Sequence, residues 1–361
     1  MSLRSTLVGW LMPARIRRLV RLNDLITGYW VTQAIYVAAK LGIADELRAG
    51  VKRAEDVALA VGADADALYR VMRALASVGI LREFDAQKFA LTDVGRQLES
   101  ARPGSLRNWA IDNGEDWHWR SWGQLLHGVR TGKSAMERAT GARFFDYLER
   151  DAEAASVFDA AMADLATIDN VSLVSGYPFA RASTVVDVGG GSGALIASVL
   201  KTYPRLQGVL FDQPAVAHRA RQRIVEASLD ERCRVVEGDF FSAVPAGGDL
   251  YVLKQVVHDW DDARAVALLT NCAAAMSARA RLLVIEIVVP DGPGPSIAKL
   301  TDLEMLVMTG GRERTADQYA MLLQRAGLRA LKQHATRTPF TIIECVTDQS
   351  DNRPKKALGP C

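Results

Sequence analysis

Two acidic residues and a glycine cluster stand near the ends of two predicted strands. Asp187 lies in the apolar run Thr184–Val188, which leads into Gly189–Gly193, and helical apolar spacing follows. Glycines let the backbone approach a ligand closely, because a Cβ would collide with it. A second apolar run ends at Asp212. A carboxylate at that point suits the two hydroxyls of a ribose, so these segments predict a nucleoside site.

The spacing of the glycines distinguishes two kinds of nucleoside. A dinucleotide fingerprint needs G-x-G-x-x-G. Counted from Gly189 the third position is Ala194, which is tolerated, but counted from Gly191 it is Ile196, which is not. A carboxylate at Asp187 would repel a pyrophosphate, whereas it suits the cationic amino group or sulfonium of S-adenosylmethionine. The residues therefore favour S-adenosylmethionine over NAD.

His258 follows a fourth apolar strand, at the edge where open α/β sheets bind ligands. A histidine there can accept a proton from a substrate hydroxyl. The surrounding acids equally fit a helix that begins at Asp261 and is capped by His258. Glu286 lies among apolar residues of a fifth strand, where a carboxylate is costly unless it is paired. It belongs either to the site or to an ordinary buried ion pair.

The elements that must position these residues alternate regularly after Ser183. Strands end near Asp187, Asp212 and Asp239 and recur at Asp249–Leu253 and Arg281–Val289, with helices at about 194–202, 215–227, 261–278 and 315–326. This alternation predicts an α/β fold with a doubly wound, Rossmann-like parallel sheet. Leu328–Thr336 and Phe340–Val346 flank a turn too short for a crossover helix, which predicts an antiparallel terminal hairpin.

Residues 1–100 are predicted to be mostly helical. Apolar residues cover so much of the helix predicted over Asn23–Lys40 that it should be buried on several sides, as against a second subunit. Two further helices and a hairpin at residues 80–91 form a winged-helix arrangement. Its would-be recognition helix offers only Arg70 and Arg73 to DNA and begins beside acids. A homodimer, or a role of this arrangement in covering the second domain, is therefore favoured over nucleic-acid binding.

Composition narrows the class of protein. Lys and Arg total 44 against 42 acidic residues, so the net charge gives no case for a nucleic-acid or acidic partner. No apolar stretch approaches membrane-spanning length. The four cysteines show neither metal-ligand spacing nor a paired pattern, which predicts free thiols, no metal site and a cytoplasmic location.

The motifs together resemble those of small-molecule methyltransferases typified by plant caffeate and flavonoid O-methyltransferases, a family with bacterial relatives in antibiotic, phenazine and carotenoid pathways. The resemblance covers residues from about 20 to 346 and is carried by Asp187–Gly193, Phe211-Asp212, Gly238–Phe240, Leu253–Trp260 and Gly310–Thr315. Segments near the N-terminus, Gly28–Trp30, Ala39–Ile43 and Val71–Leu75, resemble the family's dimerisation domain.

The resemblance implies a role for particular residues in binding S-adenosylmethionine. Gly189, Gly191 and their neighbours would bracket the methionine part of the cofactor. The other contacts would come from Asp212 to the ribose, Asp239 and Phe240 to the adenine, and Lys254 to a polar group of the cofactor.

The resemblance likewise implies the catalytic and acceptor-binding residues. His258 matches the family's base, and Glu286 and Glu313 match the carboxylates that flank and orient it. The acceptor would be contacted by Met162, Met305 and Trp260. Leu165 stands where plant members have a histidine that helps to bind phenylpropanoids, which points to a more apolar or larger acceptor.

The implied activity is S-adenosylmethionine-dependent methyl transfer to a hydroxyl of an aromatic or polyketide-like small molecule, in secondary metabolism. Alternatives are N-methylation of a heteroaromatic, or cofactor binding with other chemistry such as hydroxylation or decarboxylation. A DNA-binding, ligand-sensing regulator is a further alternative.

We expect four parts along the chain: a winged-helix-like dimerisation domain over residues 1–100, a helical connector to the acceptor pocket over 101–180, a catalytic domain over 181–347 and a disordered tail over 348–361. The connector contains Trp109, Trp117, Trp119 and Trp122. These rings either fill a core or offer flat faces to a planar ligand.

Overall fold

The structure is a computed structural model that describes residues 13–348. Its helices are α1 (Ala14–Ile26), α2 (Gly28–Leu41), α3 (Ile43–Glu46), α4 (Ala54–Val61), α5 (Ala65–Ser77), α6 (Arg107–Gly114), α7 (Asp116–Trp122), α8 (Leu125–Thr131), α9 (Ala135–Thr140), α10 (Phe144–Arg150), α11 (Ala152–Gly176), α12 (Ala194–Thr202), α13 (Pro214–Glu226), α14 (Asp262–Ala275), α15 (Ala298–Met308) and α16 (Ala316–Arg325). Its strands are β1 (Lys52–Arg53), β2 (Leu81–Phe84), β3 (Lys88–Leu91), β4 (Thr184–Val188), β5 (Gln207–Asp212), β6 (Cys233–Glu237), β7 (Leu250–Lys254), β8 (Arg281–Glu286), β9 (Leu328–Ala335) and β10 (Thr341–Thr347).

The chain forms two compact units. Among the described residues, the first unit contains residues 13–119 together with Glu153–Leu165, and the second contains Arg120–Ala152 and residues 166–348. The tail expected to be disordered over 348–361 lies, apart from Asp348, outside the described residues.

The first unit contains the winged-helix arrangement that the sequence predicts. Asp64 accepts a hydrogen bond from the backbone N–H of Ala67 (2.9 Å), which caps α5. β2 pairs antiparallel with β3, and the short β1 adds a third strand beside β3. The core of this unit includes Leu47, Val57, Met72 and Phe89.

The prediction of one helix over Asn23–Lys40 is wrong, because the chain breaks at Thr27 into α1 and α2. The Thr27 hydroxyl donates to the carbonyl of Asn23 at 2.8 Å, beside the backbone N–H of the same residue, and such hydroxyl bonds weaken and bend a helix. Apolar side chains of both helices are exposed in the single chain, among them Leu25 (71 %) and Trp30 (61 %). They form an apolar face of the kind that a second subunit covers.

The second unit is built around a seven-stranded sheet in the order β6-β5-β4-β7-β8-β10-β9. The five strands from β6 to β8 are parallel, and β10 pairs antiparallel with both β8 and β9. The predicted doubly wound sheet with an antiparallel terminal hairpin is therefore confirmed. The strand order reverses at β4, between β5 and β7, and open α/β sheets bind ligands at such a reversal.

Two features of this unit differ from the sequence prediction. β8 ends at Glu286 rather than at Val289, because its partners stop there: Ile285 pairs with the last residue of β7, and Glu286 with the first of β10. The helix α15, which the sequence analysis did not identify, packs on α8 and α9 and carries the buried Met305.

Cysteines and tryptophans contribute to the interior. The described cysteines Cys233, Cys272 and Cys345 are buried free thiols. Trp117 is buried in the first unit, and in the second the indole N–H of Trp122 donates to Glu304 at 2.7 Å. None of the helices between residues 13 and 348 has the length and apolar character needed to cross a membrane.

Candidate active site

The loops after β4 and β7 meet at the carboxyl edge of the sheet, where the strand order reverses. A Cβ added to Gly189 would lie 2.9 Å from Cγ2 of Val256, so the two loops touch. The glycine cluster and the segment that carries His258 are thus brought together.

The glycine loop adopts a backbone conformation that other residues rarely take. Gly189, Gly191 and Gly193 have φ angles of +68°, +54° and +77°, all in the left-handed region. Asp212, at the end of β5, accepts the N–H of Gly191 on Oδ2 at 2.8 Å. Because α12 begins directly after Gly193, the unpaired N–H groups of its first turn lie at the loop.

Asp187 lies beneath this loop with one carboxylate oxygen unused. The residue is 2 % exposed, and its Oδ2 has no hydrogen-bond partner among residues 13–348. Burial and, after it, the neighbouring Asp212 raise the pKa of Asp187 to about 7, while Lys254 acts in the opposite direction. A nearby cation favours the charged form of such an acid. The loop therefore fits a cofactor that carries positive charge, as S-adenosylmethionine does.

Lys254, the last residue of β7, is a cation among these acids. Burial lowers the pKa of Lys254, and Asp169, Asp187 and Glu286 oppose that shift. Its ammonium lies 5.0 Å from the centre of the Phe340 ring, a cation–π distance. The lysine therefore balances carboxylates on β4 and β8, the two strands that flank β7, and its contact with the cofactor stays a prediction.

Aromatic side chains lie at the carboxyl edge of the sheet, beside the loop that follows β6. The buried Phe240 lies edge-to-face with Trp260, 6.0 Å between ring centres. Trp260 stacks on Phe145 at 5.7 Å and has the Arg264 guanidinium over its ring at 4.4 Å. Asp239 is exposed after the same strand. Apolar ring faces beside an exposed carboxylate suit a planar, polar-edged group such as adenine.

His258 lies in a short 3₁₀ turn, Val257–Asp259, which two residues separate from the end of β7. It is 5 % exposed, and its Nδ1 lies 2.9 Å from Oε1 of Glu313. Its Nε2 lies 3.7 Å from the Asp259 carboxylate, beyond hydrogen-bond distance. With the proton assigned to Nδ1 by its pairing with Glu313, Nε2 keeps a lone pair and can accept a proton.

The alternative that His258 only caps the next helix is wrong. The cap of α14 is Asp261, whose Oδ1 accepts the N–H of Arg264 at 2.9 Å. The imidazole of His258 is engaged instead with the two glutamates that the resemblance had assigned to it.

Glu286 is fully buried and holds the backbone of the turn. Its Oε1 accepts the N–H groups of Val256, Val257 and His258 at 3.2, 2.9 and 3.3 Å. Its Oε2 lies 3.7 Å from Nδ1 of the imidazole, farther than the oxygen of Glu313. The two carboxylates therefore have different roles: Glu286 fixes the backbone of the turn, and Glu313 fixes the imidazole of His258.

The charges around His258 make its imidazole a strong base. Burial alone would lower the pKa of His258, but Glu286, Asp259 and Glu313 outweigh burial and raise the pKa to about 10. A phenol has an ordinary pKa near 10. Because the neighbouring carboxylates stabilise the protonated ring, they favour transfer of a phenolic proton to the neutral imidazole.

The same three residues have a spacing compatible with a metal ion. Ligand atoms of His258, Glu286 and Glu313 all lie within 4.8 Å of one another. The hydrogen bonds of the imidazole and of the turn already account for that spacing.

The methionines predicted to contact the acceptor lie in different units. Met305 on α15 is 9 % exposed and stands three residues after Asp302, whose Oδ1 accepts the N–H of Glu313 at 2.9 Å. Residues three apart share a helix face, so Met305 lies on the face that meets the catalytic segment. Met162 lies on α11 in the first unit, and its contact with the acceptor stays a prediction.

Sequence reasoning missed two residues that shape the turn around His258. Gln255 has a φ of +53°, a conformation that costs about 1–3 kcal/mol in a residue other than glycine. Arg314 is 1 % exposed and donates to carbonyls of the turn. The motif Gly310–Thr315 could have indicated Arg314, whereas a glutamine carries no sequence signal for a positive φ.

Known families match both units of the chain. The profile of the O-methyltransferase domain matches residues 122–329, and that of the O-methyltransferase dimerisation domain matches residues 23–100. A phenazine O-methyltransferase of Lysobacter antibioticus is 42 % identical over 323 residues, which cover 90 % of this chain and 94 % of that protein.

Two further relatives differ in the atom that their names say is methylated. An 8-amino-8-demethylriboflavin N,N-dimethyltransferase of Streptomyces davaonensis is 36 % identical over 319 residues, 87 % of this chain and 91 % of that protein. An O-methyltransferase from neocarzinostatin biosynthesis, solved with S-adenosylmethionine and 2-hydroxy-5-methyl naphthoic acid, has a TM-score of 0.77 at 34 % identity. That alignment covers 88 % of this chain and 95 % of the solved one.

Proposed function

Because this chain belongs to the S-adenosylmethionine-dependent O-methyltransferase family, we propose that it methylates a hydroxyl of an aromatic or polyketide-like small molecule with His258 as the general base. Membership in the family confirms the predictions of an enzyme, of S-adenosylmethionine as cofactor and of a homodimer formed through the dimerisation domain. A relative named for a phenazine and one solved in complex with a naphthoic acid support an aromatic acceptor.

The observation that carries the proposal is the way the imidazole is held. Glu313 occupies Nδ1 of His258 at 2.9 Å, and Glu286 holds the N–H groups of the turn. Nε2 is then the basic nitrogen, in a fixed ring orientation. Removal of the hydroxyl proton as attack proceeds contributes about 10²–10⁴-fold in rate, and alignment of the reacting atoms contributes more.

The cofactor would be held by the glycine loop and the strand ends beside it. When bound, S-adenosylmethionine supplies a methyl group already activated by the sulfonium. Gly189 and Gly191 let the backbone approach it, Asp212 offers a carboxylate to the ribose, and the further contacts would come from Asp239, Phe240 and Lys254. The spare oxygen of the buried Asp187 supports a cationic group at this loop.

The acceptor would lie beside His258 and the apolar residues Met305 and Trp260, and the resemblance assigns Met162 to it as well. Leu165, in place of the histidine of plant relatives, supports an acceptor more apolar or larger than a phenylpropanoid.

The matched range 23–100 supports a dimerisation domain over residues 1–100. A connector over 101–180 and a catalytic domain over 181–347 are part of the proposal, and the matched range 122–329 covers parts of both. A cytoplasmic location is part of the proposal and is supported by the free thiols of the described cysteines.

Methylation of nitrogen is the second candidate, because one relative is named as an N,N-dimethyltransferase. A neutral amine carries its own lone pair and needs no proton removed before attack. The requirement for His258 therefore separates the two reactions.

The test is His258→Ala, assayed with hydroxynaphthoates and hydroxyphenazines as acceptors. We expect kcat to fall by about 10²–10⁴-fold and the affinity for S-adenosylhomocysteine, measured by calorimetry, to stay nearly unchanged, since the imidazole faces the acceptor. His218→Ala, at an exposed histidine, is the matched control and should keep the wild-type kcat. If His258→Ala keeps most of its kcat, O-methylation by this base is refuted and N-methylation becomes the better account.

A further inference from the structure

Arg314 is fully buried, and all five of its guanidinium N–H groups are engaged. Nε and Nη2 donate to Oδ1 of Asp262 at 3.1 and 2.8 Å. Nη1 donates to the carbonyls of Val257 and Arg312 at 3.3 and 3.2 Å, and Nη2 also donates to the carbonyl of Trp260 at 2.8 Å. One aspartate therefore balances the charge, and the remaining donors all reach backbone oxygens.

Two of those carbonyls lie on either side of His258 along the chain, because Val257 precedes it and Trp260 directly follows the turn Val257–Asp259. Glu286 accepts the N–H groups of the same stretch of chain. A carboxylate thus holds the N–H groups of the turn while a guanidinium holds its carbonyls. Hydrogen bonds to charged groups are roughly twice as strong as neutral ones. Any shift of the turn would therefore weaken several strong hydrogen bonds.

The segment that carries Arg314 contacts the turn at further points. The N–H of Arg312 donates to the carbonyl of His258 at 2.8 Å, and a Cβ on Gly311 would lie 2.0 Å from that carbonyl oxygen. Glu313 holds Nδ1 of the ring. Adjacent residues of one segment thereby fix both the side chain and the main chain of His258.

We propose that Arg314 is a positioning residue for methyl transfer, which fixes the turn from Val257 to Trp260 so that Nε2 of His258 faces the acceptor hydroxyl. This inference rests on the proposed role of His258 as the base. Lysine cannot replace Arg314, because an ammonium is a compact charge with three donors and lacks the planar fork that reaches several acceptors at once.

An acceptor of low pKa distinguishes positioning of the base from general damage to the enzyme. A hydroxyl that is already ionised at the assay pH needs no base. A defect transmitted through His258 therefore disappears with such an acceptor, whereas a defect in folding or in cofactor binding affects both acceptors equally.

The test compares Arg314→Lys with the wild type on a hydroxynaphthoate that the wild type methylates and on its nitro-substituted analogue, which is ionised at the assay pH. Because a misplacement of 1 Å can cost about 10²-fold, we expect kcat to fall about 10- to 100-fold on the first probe and less than about 3-fold on the second. Affinity for S-adenosylhomocysteine should not change. Arg325→Lys, at an exposed arginine, should match the wild type. Equal losses on both probes, or no loss, would overturn the proposal.

Asp262→Asn provides a second arm, which decides the question if Arg314→Lys fails to fold. The Asp262 side chain is 48 % exposed, so this change is mild, yet it removes the charge that orients the guanidinium. We expect the same dependence on acceptor pKa with a smaller loss, about 3- to 10-fold. A loss that is independent of the acceptor contradicts the proposal.

His258→Ala is assayed with the same two acceptors, beside Arg314→Lys and beside Asp262→Asn. If it keeps kcat, the proposed function fails. If it loses kcat while the Arg314 and Asp262 variants behave like the wild type, only the inference about Arg314 fails.

Discussion

The two loops that meet at the strand reversal are held in opposite ways. The turn that carries His258 is fixed by charged side chains from elsewhere in the chain, Glu286 on β8 and Glu313 and Arg314 after α15. The loop Gly189–Gly193 is shaped by its own glycines, and Asp212 adds a hydrogen bond to the N–H of Gly191.

This difference follows from what each loop must do. A group that transfers a proton has to be aligned to within about 0.5 Å, so its supporting contacts must be directional and strong. A loop that receives a ligand must keep backbone N–H groups available for it, and glycine achieves this without side chains. Charged side chains therefore orient the proposed base, whereas backbone conformation shapes the proposed cofactor site.

The largest expected effect is on the catalytic turn. Glu286→Ala removes the acceptor of three buried N–H groups and a partner of His258. We expect the free energy of unfolding to fall by about 3–5 kcal/mol, measured by chemical denaturation. Glu226→Ala, at an exposed glutamate on α13, should change it by less than about 0.5 kcal/mol. A loss below about 1 kcal/mol for Glu286→Ala would mean that the turn is not held by this carboxylate.

Glu313→Gln should loosen the imidazole of His258 and leave the backbone of the turn in place. The bond to Nδ1 involves a charged group, and such bonds contribute about 1.5–3 kcal/mol, so kcat should fall about 10- to 100-fold, less than in His258→Ala. The double variant with His258→Ala should be clearly less than additive, because the two groups act as one unit. Steady-state kinetics with a phenolic acceptor gives kcat for the single and the double variant. If the two losses are additive, Glu313 does not act through His258.

The pH dependence of kcat reports the charges around the imidazole. Only the neutral ring accepts a proton, and the flanking carboxylates raise the pKa of His258 to about 10. Wild-type kcat should therefore rise with pH in the alkaline range, above the ordinary histidine pKa of about 6.5. Glu313→Gln removes one carboxylate, which lowers the pKa of His258 and moves the rise to lower pH. A shift toward higher pH in this variant would contradict the assignment.

The glycine loop should respond in cofactor affinity instead. Asp212→Ala removes the carboxylate offered to the ribose and the hydrogen bond to Gly191, so calorimetry should show binding of S-adenosylhomocysteine weakened by about 1–3 kcal/mol. Asp230→Ala, at an exposed aspartate, serves as the control. Unchanged affinity in Asp212→Ala would remove this residue from the cofactor site.

The smallest losses of cofactor affinity should come from substitutions of the glycines, and the loss should differ between Gly189 and Gly191. Gly191→Ala meets open space and incurs only the strain of a positive φ, about 1–2 kcal/mol. Gly189→Ala incurs the same strain and also meets Val256 at 2.9 Å, so it should lose more affinity for S-adenosylhomocysteine. Equal losses would show that the contact between the two loops relaxes freely.

Much of the site can be predicted because parallel strands end at one edge of a sheet. Asp187, Asp212 and His258 each lie at or just after a strand whose apolar run is visible in the sequence. Topology then brings them together without any knowledge of side-chain packing. The helix α15 could not be predicted in this way, because its apolar residues do not form one clear face. Met305, which lies on α15, could therefore be assigned only by resemblance.

The sequence alone determined the fold class, the glycine loop that we propose for the cofactor and the family, since these depend on local periodicity and on short motifs. Only the tertiary structure decided how Glu286 and Glu313 divide their roles and that Arg314 holds the turn. Glu313 lies 55 positions from His258 along the chain, and no local pattern fixes which oxygen or guanidinium nitrogen faces which atom. That choice depends on where the backbone directs each side chain, and on the cost of leaving any of these buried charges without a partner.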